Sequence, residues 1–188
     1  FMFFRHFCNA VESTEEATTE ELLQRLSKNA NVFLSQLHVD DFTGIIRIYM
    51  NHGNLTIDLQ DRNGKVITNP NTSLLTTMHI SMLLAISELT KDSRKAEYPL
   101  IFDAPTSSFD EGKDKSFYDC LNAHIDKQCI VVTKSFLYKD TVSGEYRIDH
   151  EALKKLNCKK FRIRKLSDGF DKLDIATIDT QVTEIKED

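Results

Sequence analysis

The sequence predicts an α/β fold with parallel strands, flanking helices and a small antiparallel β-meander. Two apolar runs, 100–102 and 129–132, flank a helical segment from about 110 to 127, which is the pattern of a buried strand-helix-strand unit. Upstream, the runs 44–50 and 54–59 alternate apolar and polar residues around an Asn-His-Gly turn. A further short run at residues 65–67 completes the predicted meander.

Two helices are predicted on either side of the meander. The first runs from about residue 19 to residue 37 and repeats apolar residues at spacings of three and four. The acidic stretch 12–21 that leads into it is interpreted as a linker. The second helix, residues 74–89, is strongly apolar. The apolar face of the first helix consists of Leu22, Leu26, Ala30, Phe33 and Leu37.

Composition indicates a globular domain without a membrane span. The 188 residues are 40% apolar and 28% charged, which is enough for one domain with its own core. The longest apolar run, Ile80 to Ile86, is interrupted by Ser81 and is far shorter than the roughly 20 residues that cross a bilayer. The apolar start of the chain meets Arg5 and His6 at once and has no signal-peptide core. We therefore expect a cytoplasmic protein that binds no membrane.

The cysteines and the charge exclude two other classes of site. The four cysteines are scattered without a C-x-x-C pair, so neither a zinc site nor a disulfide framework is predicted. A net charge of −5 argues against attraction of DNA to the whole surface. The segment 154–165 carries seven positive charges and no acid, and we favour a solvated strand edge there over nucleic-acid contact. Edge strands are predicted at 160–165 and 173–185.

The segment 98–110 is the most informative part of the sequence. An apolar strand ends on Asp103, and the residues that follow are Ala-Pro-Thr-Ser-Ser-Phe-Asp. The order Asp-x-Pro-Thr-Ser-x-x-Asp resembles the Walker B strand and D-loop of the ABC ATPase superfamily. The resemblance implies that Asp103 organises Mg²⁺ beside ATP. It also implies that Ser107, Ser108 and Asp110 form a D-loop that touches a second head in a dimer.

Two further segments fall in the order that this family requires. Ser73 precedes the apolar helix, at the place of the ABC signature motif, whose serine and helix amino terminus reach the terminal phosphate bound on the opposite head. An anion suits a helix amino terminus because of its free N–H groups. Lys134 follows the second buried strand, at the place of the switch histidine. We therefore predict that Ser73 and Lys134 contact nucleotide, as do the D-loop residues.

Within the superfamily, the chain most resembles the SMC and DNA double-strand-break-repair coiled-coil ATPases and their relatives in bacterial DNA modification and defence. The resemblance implies that residues 1–18 are a linker or the end of a coiled coil. Residues 19–188 would form the carboxyl-terminal lobe of an ATPase head. Within that lobe the resemblance places the signature helix at about 73–89, the Walker B strand and D-loop at 100–110, and the switch strand at 129–136.

The chain departs from the family pattern at four places. Leu74 and Leu75 replace the two signature glycines, Ala104 replaces the catalytic glutamate, and Lys134 replaces the switch histidine. The phosphate-binding sequence G-x-x-x-x-G-K-[ST] does not occur. By the family's order that Walker A loop is expected before residue 1. We therefore expect ATP hydrolysis only together with a Walker A half.

Three functional hypotheses remain open at the level of sequence. The first is one half of an ATPase head, whose partners would be the Walker A half, a second head in a homodimer, DNA and a nuclease subunit. The second is an ABC-like dimerisation module without turnover, which Ala104, Leu74 and Leu75 favour. The third, a phosphotransfer or nuclease domain using Asp40, Asp41 and Asp103, lacks a metal-ligand cluster.

Overall fold

The computed structural model describes residues 2–37, 42–91, 99–166 and 178–185. They form two compact units, residues 1–135 and 136–188. Asp40 and Asp41 lie outside the described residues. The first unit contains α1 (Met2–Leu37), β1 (Ile45–Asn51), β2 (Asn54–Gln60), α2 (Thr72–Leu89), β3 (Leu100–Asp103), α3 (Glu111–His124) and β4 (Cys129–Val132). The second contains β5 (Leu137–Lys139), β6 (Tyr146–Ile148), α4 (His150–Lys154), β7 (Phe161–Lys165) and β8 (Thr180–Glu184).

Helix α1 is 36 residues long and begins well before the predicted start at residue 19. The acidic stretch 12–21, which we interpreted as a linker, lies within this helix. Near its carboxyl end one face is buried and packs against α2, β1 and α3. That face is formed by Ala30, Phe33, Leu34 and Leu37, each at most 3% exposed. Burial at the spacing of three and four therefore fixes the last two turns of α1 in the core.

Asn31 connects α1 to the first strand through the backbone of Ile46. Its amide nitrogen donates to the Ile46 carbonyl at 2.8 Å, and its amide oxygen accepts from the Ile46 N–H at 2.8 Å. The Ser27 hydroxyl donates to the same carbonyl at 2.8 Å. Ile46 is fully buried, so these side chains satisfy backbone groups that water cannot reach.

Strands β1 and β2 pair as an antiparallel hairpin in the register Ile45 with Gln60. His52 and Gly53 both have positive φ, at 48° and 79°, as the tight two-residue hairpin turn requires. The third strand of the predicted meander is reduced to one bridge between Gln60 and Val66. The Asp61–Gly64 turn leads into this bridge.

Helix α2 begins at Thr72 and ends at Leu89, close to the predicted 73–89. Asn71 caps it, because its side-chain oxygen accepts from the Leu74 N–H at 2.8 Å. The fully buried Thr77 and Ser81 bond back to carbonyls one turn earlier, so their hydroxyls are satisfied within the helix. By length and composition alone α2 would also suit a membrane span. Its burial against α1 accounts for the same composition in a core helix.

Strands β3 and β4 pair in parallel through the crossover helix α3, with Leu100 opposite Cys129 and Asp103 opposite Val132. Phe102 of β3 meets Phe117 of α3 edge to face, with 5.6 Å between ring centroids. The opposite side of the pair is uncovered among the described residues. It exposes Ile101 (68%), Ile130 (43%) and Val132 (42%).

The second unit consists of two antiparallel hairpins and a short helix. Strands β5 and β6, and helix α4, were not predicted from the sequence. Strands β7 and β8 pair from Phe161 with Glu184 to Lys165 with Thr180. They lie within the two predicted edge strands, although residues 173–177 of the second are outside the described range. Asp140 shapes the β5–β6 loop by accepting from the Ser143 and Val142 N–H groups. These bonds, with Ser143 contributing most, lower the pKa of Asp140 below its usual value.

Candidate functional site

The candidate site lies at the carboxyl edge of the parallel pair β3–β4. Asp103 is the last residue of β3, is exposed, and forms no ion pair with any described residue. A free carboxylate at a strand's carboxyl end is placed as P-loop ATPases place the carboxylate that organises Mg²⁺. No group of three or more potential metal ligands occurs among the described His, Cys, Asp and Glu residues. The metal-organising role of Asp103 therefore stays a prediction.

Ala104, at the position where the sequence resemblance implies a catalytic glutamate, has an unusual backbone. Its φ is 46°, in the left-handed region, which costs an L-residue roughly 1–2 kcal/mol. Its N–H donates to the Val132 carbonyl at 2.8 Å, so the turn begins directly at the end of the strand. The methyl side chain is exposed and supplies no acid or base.

The D-loop turns tightly between β3 and α3. The Ser107 N–H donates to the Ala104 carbonyl at 3.2 Å, and the Phe109 N–H donates to the Thr106 carbonyl at 3.0 Å. Ser107 is exposed on this turn. Asp110 caps α3, since its side chain accepts from the Lys113 N–H at 2.9 Å. The role that the structure gives Asp110 is thus to end the loop and begin the helix.

The D-loop is joined to α2 by two side-chain contacts. The Ser108 hydroxyl donates to Thr76 Oγ1 at 3.1 Å. The Lys113 ammonium donates to the Ser73 hydroxyl oxygen at 3.1 Å. Ser73 lies in the first turn of α2 and not in the loop before it, because Asn71 starts the helix earlier than predicted. The structure therefore brings Ser73, Ser108 and Asp110 into one connected group.

Lys113 is a residue that the sequence analysis missed. It is only 6% exposed although it carries an ammonium group. The sequence could have singled out Lys113 because it lies in the first turn of a helix, where the helix dipole disfavours a positive charge. Its partner Ser73 is 40 residues away, so no local pattern indicates the contact.

The loop after β4 carries the predicted Lys134 and a hydroxyl network. Lys134 is exposed, and no contact joins it to Asp103 or Ser73. Next to it, Ser135 Oγ donates to Asp114 at 2.9 Å and lies 3.0 Å from Thr106 Oγ1 of the D-loop. The Tyr118 hydroxyl lies beside this network, and burial is the main cause that raises the pKa of Tyr118 above its usual value. Ser135 thereby links the loop after β4 to the D-loop, a contact that the sequence did not reveal.

Comparison with known proteins yields structural relatives alone. No protein-family model matches the sequence, and no curated protein matches it. A solved structure from work on ATP-driven dimerization and DNA-stimulated activation of SMC ATPases aligns with a TM-score of 0.58 and 16% identity, covering 91% of this chain and 89% of that one. The Smc head domain with coiled coil and joint from Pyrococcus yayanosii aligns at 0.57 and 17%, over 79% of this chain and 32% of that one.

A third structure is the Pyrococcus furiosus Smc head bound to the carboxyl-terminal domain of ScpA. It aligns with a TM-score of 0.55 and 16% identity, over 79% of this chain and 41% of that one. The chain thus spans less than half of both Pyrococcus heads. At these low identities the similarity shows a shared fold alone. In this chain the main elements of that fold are α1, α2 and the strand-helix-strand unit. The chain has a divergent form of the α/β fold of SMC-type ATPase heads.

Proposed function

We propose that this chain is the carboxyl-terminal half of an ATPase head that binds ATP between two heads and acts in the cytoplasm in chromosome maintenance, DNA repair or DNA defence. The observation that carries the proposal is the connected group at the edge of β3. The D-loop and the first turn of α3 meet the amino-terminal turns of α2 through the contacts Ser108–Thr76 and Lys113–Ser73. Asp103 lies at the end of β3, directly before this loop. SMC-type fold similarity supports the same assignment.

In this proposal each predicted site residue has one role. Asp103 organises Mg²⁺ on the nucleotide of its own head, and Lys134 contacts the same nucleotide. Ser73 and the free N–H groups of the first turn of α2 meet the terminal phosphate held by the partner head. Ser107, exposed on the D-loop turn, contacts the opposing head, while Ser108 and Asp110 hold the loop in shape.

The uncovered side of β3–β4 supports a Walker A half as the first partner. Parallel sheets occur almost only with both faces covered, and a two-stranded parallel sheet leaves two open edges. Ile101, Ile130 and Val132 expose an apolar surface on this sheet. We propose that the half with the phosphate-binding loop adds strands at the open edges of this sheet and also covers its apolar face. The Pyrococcus heads, of which this chain spans 32% and 41%, contain more chain than is described here.

The remaining proposed partners rest on the likeness to SMC heads. A second copy of the head would complete the ATP site, as in the ATP-driven dimers that the first relative represents. DNA, a nuclease subunit and a ScpA-like subunit are further candidates, the last because one aligned head binds ScpA. No membrane is proposed.

A catalytically silent dimerisation module is the second candidate function. Ala104 favours it, because a methyl group cannot orient or deprotonate the attacking water. Leu75 in the first turn of α2 is 36% exposed where a glycine would allow close approach of phosphate. ATP would then hold two heads together without being hydrolysed.

Release of γ-phosphate and ATP-dependent dimerisation of the complete parent protein test the two functions together. We expect Asp103→Ala to lower turnover at least tenfold, on the order of a lost metal-organising group, while Asp119→Ala, an exposed control on α3, leaves it unchanged. Equal rates of γ-phosphate release by the wild type and Asp103→Ala would rule out the proposed ATPase activity. ATP-dependent dimers without turnover would identify the silent module, and the absence of both would reject the proposal.

A further inference from the structure

The buried lysine of α3 is a charged group that the proposed roles leave unexplained. Lys113 is 6% exposed, and no described carboxylate forms an ion pair with it. Burial of an ammonium without a paired anion is unfavourable. Its one described side-chain contact is the Ser73 hydroxyl oxygen at 3.1 Å. An ammonium has three N–H groups, so two remain to be satisfied.

The contact also determines which way the Ser73 hydroxyl can act. Since Ser73 Oγ accepts from Lys113, its own proton is directed away from the ammonium and is available to an external acceptor. Around it, the Leu74 N–H is already bonded to Asn71, but the Thr72 and Ser73 N–H groups have no acceptor among the described residues. An ammonium, a hydroxyl and two helix-terminal N–H groups thus lie at the start of α2, and no described carboxylate accepts from any of them.

We propose that Lys113 is a positioning residue for the terminal phosphate of the partner-bound ATP. It orients the Ser73 hydroxyl toward that phosphate through the charge-assisted hydrogen bond at 3.1 Å. The oriented hydroxyl takes the place of the close backbone approach that Leu74 and Leu75 prevent where the family has glycines. The inference rests on the proposed function, because it assumes that Ser73 meets nucleotide on the opposite head.

Two measurements on the complete parent protein test this positioning role. The first is the ATP concentration that gives half-maximal head dimerisation, and the second is the dissociation constant for ADP. Lys113→Met removes the charge and keeps an apolar side chain that fills most of the same space. We expect it to raise the required ATP concentration about tenfold, the scale of one charge-assisted hydrogen bond. ADP affinity should change less than twofold, because ADP lacks the phosphate that Ser73 would meet.

A double variant separates positioning from an independent contact. If Lys113 acts through Ser73, the double variant Ser73→Ala with Lys113→Met should require no more than about twice the ATP that Ser73→Ala requires. If the double variant instead raises the required ATP concentration by the product of the two single-variant factors, Lys113 does not act through Ser73. Lys115→Met, on the exposed side of the same helix, should match wild type.

The controls distinguish failure of this inference from failure of the proposed function. Normal dimerisation of Lys113→Met beside impaired Ser73→Ala and Asp103→Ala would overturn the inference alone. Normal dimerisation of all three variants would overturn the proposed function. Thermal unfolding verifies that each variant is folded. If Lys113→Met does not fold, Lys113→Leu, which also removes the donor to Ser73, replaces it under the same criteria.

Discussion

Removal of the Asn31 side chain should weaken the attachment of α1 to the β1–β2 hairpin. In Asn31→Ala, the bonds to the Ile46 N–H and carbonyl are lost. The carbonyl keeps its bond from Ser27, whereas the N–H of the fully buried Ile46 loses its described acceptor. A stranded buried N–H costs about 1–3 kcal/mol and each lost bond about 1 kcal/mol. The gain in helix propensity returns roughly 0.5 kcal/mol.

These terms predict that Asn31→Ala lowers the free energy of unfolding by about 3 kcal/mol. The matched control is Ser27→Ala, which removes one donor from a carbonyl that keeps the Asn31 amide. It should cost about 1 kcal/mol or less. Urea unfolding of the full chain, followed by circular dichroism at the helical band, measures both. A loss below about 1 kcal/mol for Asn31→Ala, or an equal loss for Ser27→Ala, would refute the reasoning.

Two further predictions concern the backbone of the D-loop and the buried thiol. Ala104→Gly should raise the free energy of unfolding by about 1 kcal/mol, because glycine adopts the 46° φ without a side-chain clash. The denaturant midpoints of the wild-type chain and the variant measure this gain. A lower midpoint for the glycine variant would contradict it. Burial raises the pKa of the Cys120 thiol to about 11 from 9.0. The neutral thiol is therefore favoured in the fold, and its contribution to stability is complete below pH 9 and lost as the pH rises toward 11. Native alkylation followed by mass spectrometry should label the exposed Cys158 and leave Cys120 unmodified at pH 8, whereas equal labelling would contradict burial.

The sequence predicted the elements that bury continuous apolar runs. Strand β3, helix α2 and the β1–β2 hairpin follow directly from apolar runs and a turn with glycine, and their observed bounds differ little from the predicted ones. Helix α1 was predicted too short, because the segment 12–21 holds a single apolar residue, Ala17, and shows no apolar periodicity. The third strand of the meander was predicted too long, since the run 65–67 forms just one bridge, between Gln60 and Val66.

The contacts within the candidate site could not be predicted in the same way. Motif order placed Asp103 and the D-loop, but Lys113 reaches Ser73 across 40 residues and Ser135 reaches Thr106 across 29. Such pairs are determined by how α2, α3 and β4 pack, and local sequence carries no signal for them. The resemblance predicted which residues have functional roles, whereas tertiary packing determines which side chains contact them.

Under the proposed function, in which two heads close around ATP, the length of α1 has a mechanical consequence. At about 1.5 Å per residue a helix of this length is roughly 54 Å long. Its carboxyl-terminal turns are anchored to the hairpin by Asn31 and Ser27, and Phe33 meets His124 of α3 edge to face. The same helix packs against α2. If the anchored end turns by about 10°, the far end of such a rod moves by roughly 9 Å. Small rearrangements around a terminal phosphate would thereby become displacements as large as the width of a helix.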